Sequence, residues 1–240
     1  MYRNQRIIVI APCYNEEQKI REVVRRVKET ELADEILVVD DGSTDDSAAI
    51  AKSLGAKVIS LGKVRGVGAA LRTGFEYAHR RCDVVVVIAG NNKDEPKEIF
   101  RLVDAIVDGK TDFVQGSRFL PQGGYGGDMP FYRKLATRLH PILFSLATRK
   151  KVTESTNGFR AFRVRILDDR RINLNQAWLD AYELEPYLYY KTITLGYATA
   201  EVPVTKIYPP KKAGYTKMVP IIGWWSILRP LFLLRLGLRK

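Results

Sequence analysis

Short, wholly apolar runs alternate with amphipathic stretches through the first half of this chain, and few folds can absorb that pattern. Ile7-Ile8-Val9-Ile10-Ala11 is apolar throughout, as a strand buried on both faces requires. Residues 16–29 then carry Ile20, Val23, Val24 and Val27 at helical spacing. Glu35-Ile36-Leu37-Val38-Val39 reads as a second strand. Ser43-Thr44-Asp45-Asp46 caps a helix to about residue 54, which Gly55 stops. Ala56-Lys57-Val58-Ile59 is a third strand, and a helix over about 67–81 leads into Val84-Val85-Val86-Val87-Ile88. Pro96 opens another helix at its favoured first turn, and Asp112-Phe113-Val114-Gln115 closes the series. Regular strand–helix alternation predicts an α/β fold, an open and mostly parallel sheet with helices on both faces.

In such sheets ligands sit beyond the carboxyl ends of the strands. Those ends read Pro12-Cys13-Tyr14-Asn15-Glu16, Asp40-Asp41-Gly42-Ser43, Ala89-Gly90-Asn91 and Gly116-Ser117-Arg118, and polar residues and glycines concentrate there. From Leu120 the alternation stops. Residues 123–127 read as a flexible glycine loop, 131–149 and 178–190 as helices, and 198–205 as one more strand. Residues 219–240 are apolar and aromatic with Arg229, Arg235, Arg239 and Lys240 spaced through them, which predicts an amphipathic helical tail.

Charge narrows the class of partner. Lys and Arg number 39 against 27 Asp and Glu, a formal charge of +12, which suits nucleic acid, anionic lipid or a phosphorylated substrate. No RNA-binding sheet motif or recognition-helix pattern is present, so no nucleic acid is expected. Two cysteines, Cys13 and Cys82, give no disulfide framework and fit a reducing compartment. The chain enters its first strand without a signal-peptide pattern and holds no run of about 18 uncharged apolar residues. His79 and His140 lie far apart and read as structural.

Taken in order, the motifs resemble a known family. Pro12-x-Tyr14-Asn15-Glu16 and Val38-Val39-Asp40-Asp41-Gly42-Ser43-Thr44-Asp45 look like the opening of family-2 glycosyltransferases with a GT-A (Rossmann-like) fold. Arg65-Gly66-x-Gly68-Ala69-Ala70-Leu71-Arg72-x-Gly74-Phe75 is similar to the glycine-rich loop of the dolichyl-phosphate mannose synthase group. Gly116-Ser117-Arg118-Phe119, Thr156-Asn157-Gly158-Phe159-Arg160-Ala161, Glu201-Val202-Pro203-Val204 and Gly214-x-Thr216-Lys217-Met218 follow in that group's order and spacing. The resemblance covers about residues 7–218. It implies one catalytic domain over 1–218, with a nucleotide-binding half to about 119 and an acceptor half over about 120–218. Residues 219–240 are then a membrane-associated tail.

The residue chemistry supports this independently. A nucleobase is planar and offers an N–H edge; Asp41 at a strand end can accept it and Tyr14 can lie against the ring. Asp40 either joins that contact or only holds the turn. Glu16 either bonds a ribose or starts its helix. Pro12, Asn15, Ala89 and Asn91 complete the expected nucleotide contacts, and Gly66 and Gly68 would let backbone approach the ligand. The family normally carries Asp-x-Asp where Ala89-Gly90-Asn91 stand here, and hard cations want anionic oxygen ligands. Three routes remain open. Lys93 replaces part of the metal's charge, a unit pair about 4 Å apart being worth about 4 kcal/mol at an effective dielectric of about 20. Alternatively Asp94 and Glu95, with Asn91, recruit Mg²⁺ or Mn²⁺ in a shifted geometry, or the chain is a catalytically inactive nucleotide-sugar- or lipid-binding relative.

Catalysis is expected of Lys93, Asp94 and Arg118 by charge and of Glu185 by the resemblance's spacing, and acceptor-phosphate binding of Arg160, Lys211 and Lys217. Glu183 and Glu185 lie two apart in a helix and so cannot share one role; Glu183 reads as a solvated surface residue. The expectation is a transferase moving sugar, with inversion, from a GDP- or UDP-sugar to a polyprenyl phosphate or lipid-linked acceptor. It would work as a peripheral protein on the cytoplasmic face of a membrane.

Overall fold

The protein is seen here in a computed structural model that describes residues 1–109, 111–210 and 220–239, with backbone alone for 220–222. Strands β1 (Ile7–Cys13), β2 (Glu35–Asp40), β3 (Lys57–Ser60) and β4 (Val84–Val87) lie parallel in the order β3-β2-β1-β4. The residues of β1, β2 and β4 are mostly apolar on both faces because both faces are covered, whereas β3, at the sheet edge, has none buried. Ile7, Val9 and Ala11 pack against α1 (Glu17–Lys28), α2 (Ser47–Ser53) and α4 (Ile99–Val107), through Ile20, Val23, Ala51 and Leu102. Ile8 and Ile10 point the other way, toward Leu71 and Phe75 of α3 (Val67–Ala78) and Tyr187 of α6 (Leu184–Thr194). Burying one such side chain contributes about 1.5–3 kcal/mol, so register here is set by both faces at once.

Beyond β4 the direction changes. Strand β7 (Arg160–Arg163) runs antiparallel between β4 and β5 (Phe113–Ser117), and β8 (Thr199–Pro203) adds in parallel to β5. The sheet thus has seven strands among the described residues, in the order β3-β2-β1-β4-β7-β5-β8. No strand was expected at 160–163. Its four residues put only Ala161 and Phe162 into the core, between two arginines, so no apolar run marks it.

Three further expectations need correction. The glycine stretch forms strand β6 (Gly124–Gly127), paired with β9 (Thr205–Tyr208), so it is not a loop throughout. The strand expected over 198–205 is two, β8 and β9, interrupted at Val204. The helix expected over 178–190 begins only at Leu184, and residues 177–179 form a single 3₁₀ turn. Helices α5 (Phe131–Thr148) and α7 (Pro220–Arg235) pack together beside α6. No helix among the described residues is long and apolar enough to cross a membrane.

Candidate active site

A pocket opens at the carboxyl ends of β1, β2 and β4, where parallel-sheet geometry puts ligands. Pro12, Tyr14 and Glu16 line it from the end of β1, Asp41 from the end of β2, and Ala89, Asn91 and Lys93 from beyond β4. Arg160, Tyr182, Glu185 and Lys206 form the opposite wall, with Arg133 reaching in from α5.

Local hydrogen bonds explain how the first wall is held. Asn15 has a positive φ of 49°, tolerable for Asn, and its Oδ1 accepts the Thr44 N–H at 2.8 Å. Its own N–H donates to Ser43 Oγ at 2.9 Å, and the Glu16 N–H donates to Ser47 Oγ at 2.7 Å. Asn15 therefore ties the first two strand-end loops together, and it is not among the pocket-lining residues. Asp40 accepts from the Ser43 N–H at 3.0 Å and Ser60 Oγ at 2.7 Å, away from the pocket, so of its two sequence-derived roles it is seen in the turn-holding one. Asp41 accepts the N–H groups of Arg65 at 2.7 Å and Gly66 at 2.9 Å while remaining on the pocket wall.

Gly66 and Gly68 are required by a close approach within the fold itself. A Cβ at Gly68 would overlap the carbonyl oxygen of Leu179, and one at Gly66, whose φ is +104°, would overlap that of Asp180. The Ala69 N–H donates to that Asp180 carbonyl at 3.0 Å. These glycines admit the backbone of residues 179–180, and the neighbouring Val67, Ala70 and Leu71 line the pocket.

The turn after β4 carries the departure from Asp-x-Asp. Ala89 and Asn91 both line the pocket, and Asn91 Oδ1 is buried with no hydrogen-bond partner. Lys93 is 5% exposed. Burial pushes its ammonium down to about 7, helped by repulsion from Arg133, Lys206 and Lys19 and opposed by Glu16. Asp94 is buried, but both its oxygens are engaged. Lys206 Nζ donates to Oδ1 at 2.5 Å and the Ala89 N–H to Oδ2 at 3.1 Å. Glu95 faces Arg26 of α1 at 2.5 Å. No group of three or more His, Cys, Asp or Glu among the described residues could hold a metal ion. One neutral oxygen amid lysines does not fit a hard divalent cation.

On the second wall Arg160 is 2% exposed and its Nη2 lies 3.2 Å from Glu185 Oε1. The alignment is too poor for a hydrogen bond, and Glu185 Oε1 and Arg160 Nε are both left without one. Arg118 sits off the pocket. Its guanidinium donates to Glu154 Oε2 at 2.7 Å, Tyr208 OH at 2.7 Å and Thr156 Oγ1 at 2.8 Å, which fixes the 153–156 turn behind the wall. Glu183 is not a solvated residue: it is 1% exposed and pairs with Arg229 of α7 at 2.5 Å. Lys211 and Lys217 lie outside the described residues. Sequence reading missed Lys19, Arg133, Tyr182 and Lys206 as site residues. Lys19 follows Glu16 by one helical turn and pairs with it at 2.9 Å, a signal that was available. Nothing local marks the other three.

Comparison with known proteins places this geometry. Residues 8–171 match the family described as Glycosyl transferase family 2. The polyprenol monophosphomannose synthase of Mycolicibacterium smegmatis is 32% identical over 221 residues, 89% of this chain and 81% of that protein. The undecaprenyl-phosphate mannosyltransferase of Micrococcus luteus is 28% identical over 219 residues, 89% of this chain and 87% of that protein. Among solved structures, the glucosyl-3-phosphoglycerate synthase of Mycobacterium tuberculosis in complex with UDP superposes with a TM-score of 0.71 at 23% identity. That match covers 99% of this chain and 82% of the other, and supports the GT-A-like fold.

Proposed function

We infer the function from one premise: this chain belongs to glycosyl transferase family 2 and is a glycosyltransferase. The reading is that it moves a sugar, with inversion, from a GDP- or UDP-sugar to the phosphate of a polyprenyl phosphate. The pocket carries this reading, because it sets Tyr14 and Asp41 beside a group of cations, the buried Lys93 and Lys206 and the half-buried Lys19 and Arg133. An aromatic ring and a carboxylate suit a nucleobase, and clustered cations suit phosphates. Relatives named for polyprenol and undecaprenyl phosphate support the acceptor class.

The chemistry follows. An acceptor phosphate oxygen attacks the anomeric carbon, the bond from that carbon to the leaving phosphate oxygen breaks, and its electron pair departs with the nucleoside diphosphate. Cations beside the leaving oxygens stabilise the charge that develops there. A phosphate acceptor is already ionised and needs no general base, so Glu185 acts by orienting Arg160. The halves to about 119 and from about 120 to 218 then supply donor and acceptor contacts respectively.

The acceptor's lipid calls for a membrane surface, on its cytoplasmic face. Helix α7 exposes Trp225 and Phe232, stacked on each other, with Arg235 and Arg239 alongside. Neighbouring α5 exposes Phe131, Leu135, Leu139, Ile142 and Leu146. Apolar and aromatic side chains rimmed by arginine suit a lipid interface.

The test is transfer of label from GDP- and UDP-sugars to polyprenyl phosphate in detergent, read in the organic phase. Label on the lipid with either donor is the expected result. Nucleotide binding without turnover on any donor would favour the second reading, an inactive relative, which the loss of both carboxylates at Ala89 and Asn91 motivates.

A further inference from the structure

We propose that this pocket binds the diphosphate of its donor without a divalent cation, with the ammonium groups of Lys93 and Lys19 standing where a metal would. The inference rests on the reading of the pocket as a nucleoside diphosphate sugar site. It goes beyond that reading by assigning the charge that holds the diphosphate.

At the turn after β4 the available oxygen is Asn91 Oδ1, a neutral amide acceptor that is buried and unpartnered. The carboxylates on that turn, Asp94 and Glu95, and Glu16 at the end of β1, are each engaged by cations or backbone. Asp94 holds Lys206 and the Ala89 N–H, Glu95 holds Arg26, and Glu16 holds Lys19. Freeing any of them to ligate a metal strands a partly buried cation, which costs more than an exposed one.

The same residues suit an anion. Lys93, two residues after Asn91, is 5% exposed and lines the pocket with Lys19, Arg133 and Lys206. Lys19 and Lys206 are paired with Glu16 and Asp94, but four cations against those two carboxylates leave a surplus of positive charge that repels a dication. A diphosphate neutralises that surplus and accepts hydrogen bonds from each ammonium. Lysine is suited to the task, since its ammonium is a compact point charge with three rotatable donors. The Lys93 Nζ also lies over the Tyr208 ring, 5.6 Å from its centroid, which helps hold the head in place. Asn91 Oδ1, left over by this arrangement, is an acceptor for a hydroxyl of the donor.

Calorimetry on the full chain with GDP and UDP, each in EDTA and in Mn²⁺, tests the proposal. The expected result is that one nucleotide binds with a Kd that agrees within about twofold between the two conditions. Lys93→Met, close in shape and uncharged, should weaken that binding by about tenfold to a hundredfold, and Lys93→Arg should recover most of it. The double variant Ala89→Asp with Asn91→Asp, built on Lys93→Met, should bind only with Mn²⁺. If Lys93→Met is poorly folded, the EDTA arm on the unaltered chain still decides. Binding by the unaltered chain that requires Mn²⁺ overturns this inference and leaves the donor reading standing. Absence of binding by either nucleotide in either condition overturns both.

Discussion

On the parallel side of the pocket, Asp40, Asp41 and Asn15 are satisfied by backbone close by in the fold. Asp41 takes the N–H groups of Arg65 and Gly66, Asp40 that of Ser43, and Asn15 Oδ1 that of Thr44. On the other side several charged side chains are satisfied by one another, across long stretches of chain. Arg118 pairs with Glu154, Lys206 with Asp94 and Arg229 with Glu183. The first arrangement needs only that strands end where their loops can curl back. The second needs distant segments to arrive together before any partner is neutralised. A wall of the second kind is thus expected to be the more sensitive to loss of one group, since an orphaned buried charge is costly.

The largest effect should come from breaking the most buried pair. The side chains of Arg118 and Glu154 are 2% and 0% exposed. Arg118→Ala should cost about 3–5 kcal/mol of unfolding free energy in a denaturant titration. Replacing both partners by apolar residues of similar volume should recover much of that. A loss of under about 1 kcal/mol for the single change would erase the contrast between the walls.

Next comes a clamp that responds to pH. His140 of α5 is 1% exposed, its Nδ1 2.7 Å from Ser155 Oγ and its Nε2 3.2 Å from the Ile227 carbonyl of α7. Burial pushes its pKa down from 6.5 to about 4, against the bond to Ile227 and the nearby Glu154, which raise it. A depressed histidine is neutral when folded, so between these two values the unfolded chain binds more protons. Stability from this site is whole above pH 6.5 and falls as pH drops toward about 4, by about 3 kcal/mol. Urea titrations between pH 7 and 4.5 should show that slope flattened in His140→Gln. An unchanged slope would mean the α5–α7 contact does not depend on a neutral imidazole.

The seam between the two walls gives a third test. Gly68→Ala sets a methyl against the Leu179 carbonyl, which is backbone and cannot swing aside. It should cost about 2–3 kcal/mol and weaken nucleotide binding as well, because Asp41 is tied to the same loop. Normal stability with weakened binding would instead return Gly68 to the ligand-approach role expected from sequence.

How much could be read from the sequence divides along the same seam. Strands β1, β2 and β4 were legible because two buried faces force uninterrupted runs such as Val84-Val85-Val86-Val87, and because their ends collect Tyr14, Asp41 and Lys93 by sheet geometry. β7 was not, since Arg160 and Arg163 hide its two core residues, and their burial depends on partners such as Asn157 O and Ile106 O. Glu183 looked solvated for the same reason: its partner Arg229 lies on α7, and no local period announces it. Lys206 reaches the pocket only because β9 crosses behind the Lys93 turn, where the Ile207 N–H donates to the Lys93 carbonyl at 2.7 Å. Patterns of period two or 3.6 report burial of apolar faces; they carry no information on which charge meets which.

The smallest expected effect sharpens the contrast from the parallel side. Tyr77 on α3 donates to Glu35 Oε1 at 2.6 Å, a side-chain bond spanning 42 residues, at the end of β2 away from the pocket. Its span matches that of Arg118 with Glu154, 36 residues apart, but both groups are half-buried and water can replace either partner. Tyr77→Phe should therefore cost about 1 kcal/mol, the net worth of one ordinary hydrogen bond, and leave nucleotide binding unchanged. The two changes together separate sequence span from desolvation as the source of sensitivity. If Tyr77→Phe costs as much as Arg118→Ala, span itself matters and the walls do not differ in kind. If it costs about a quarter as much, the sensitivity of the second wall lies in the burial of its charges.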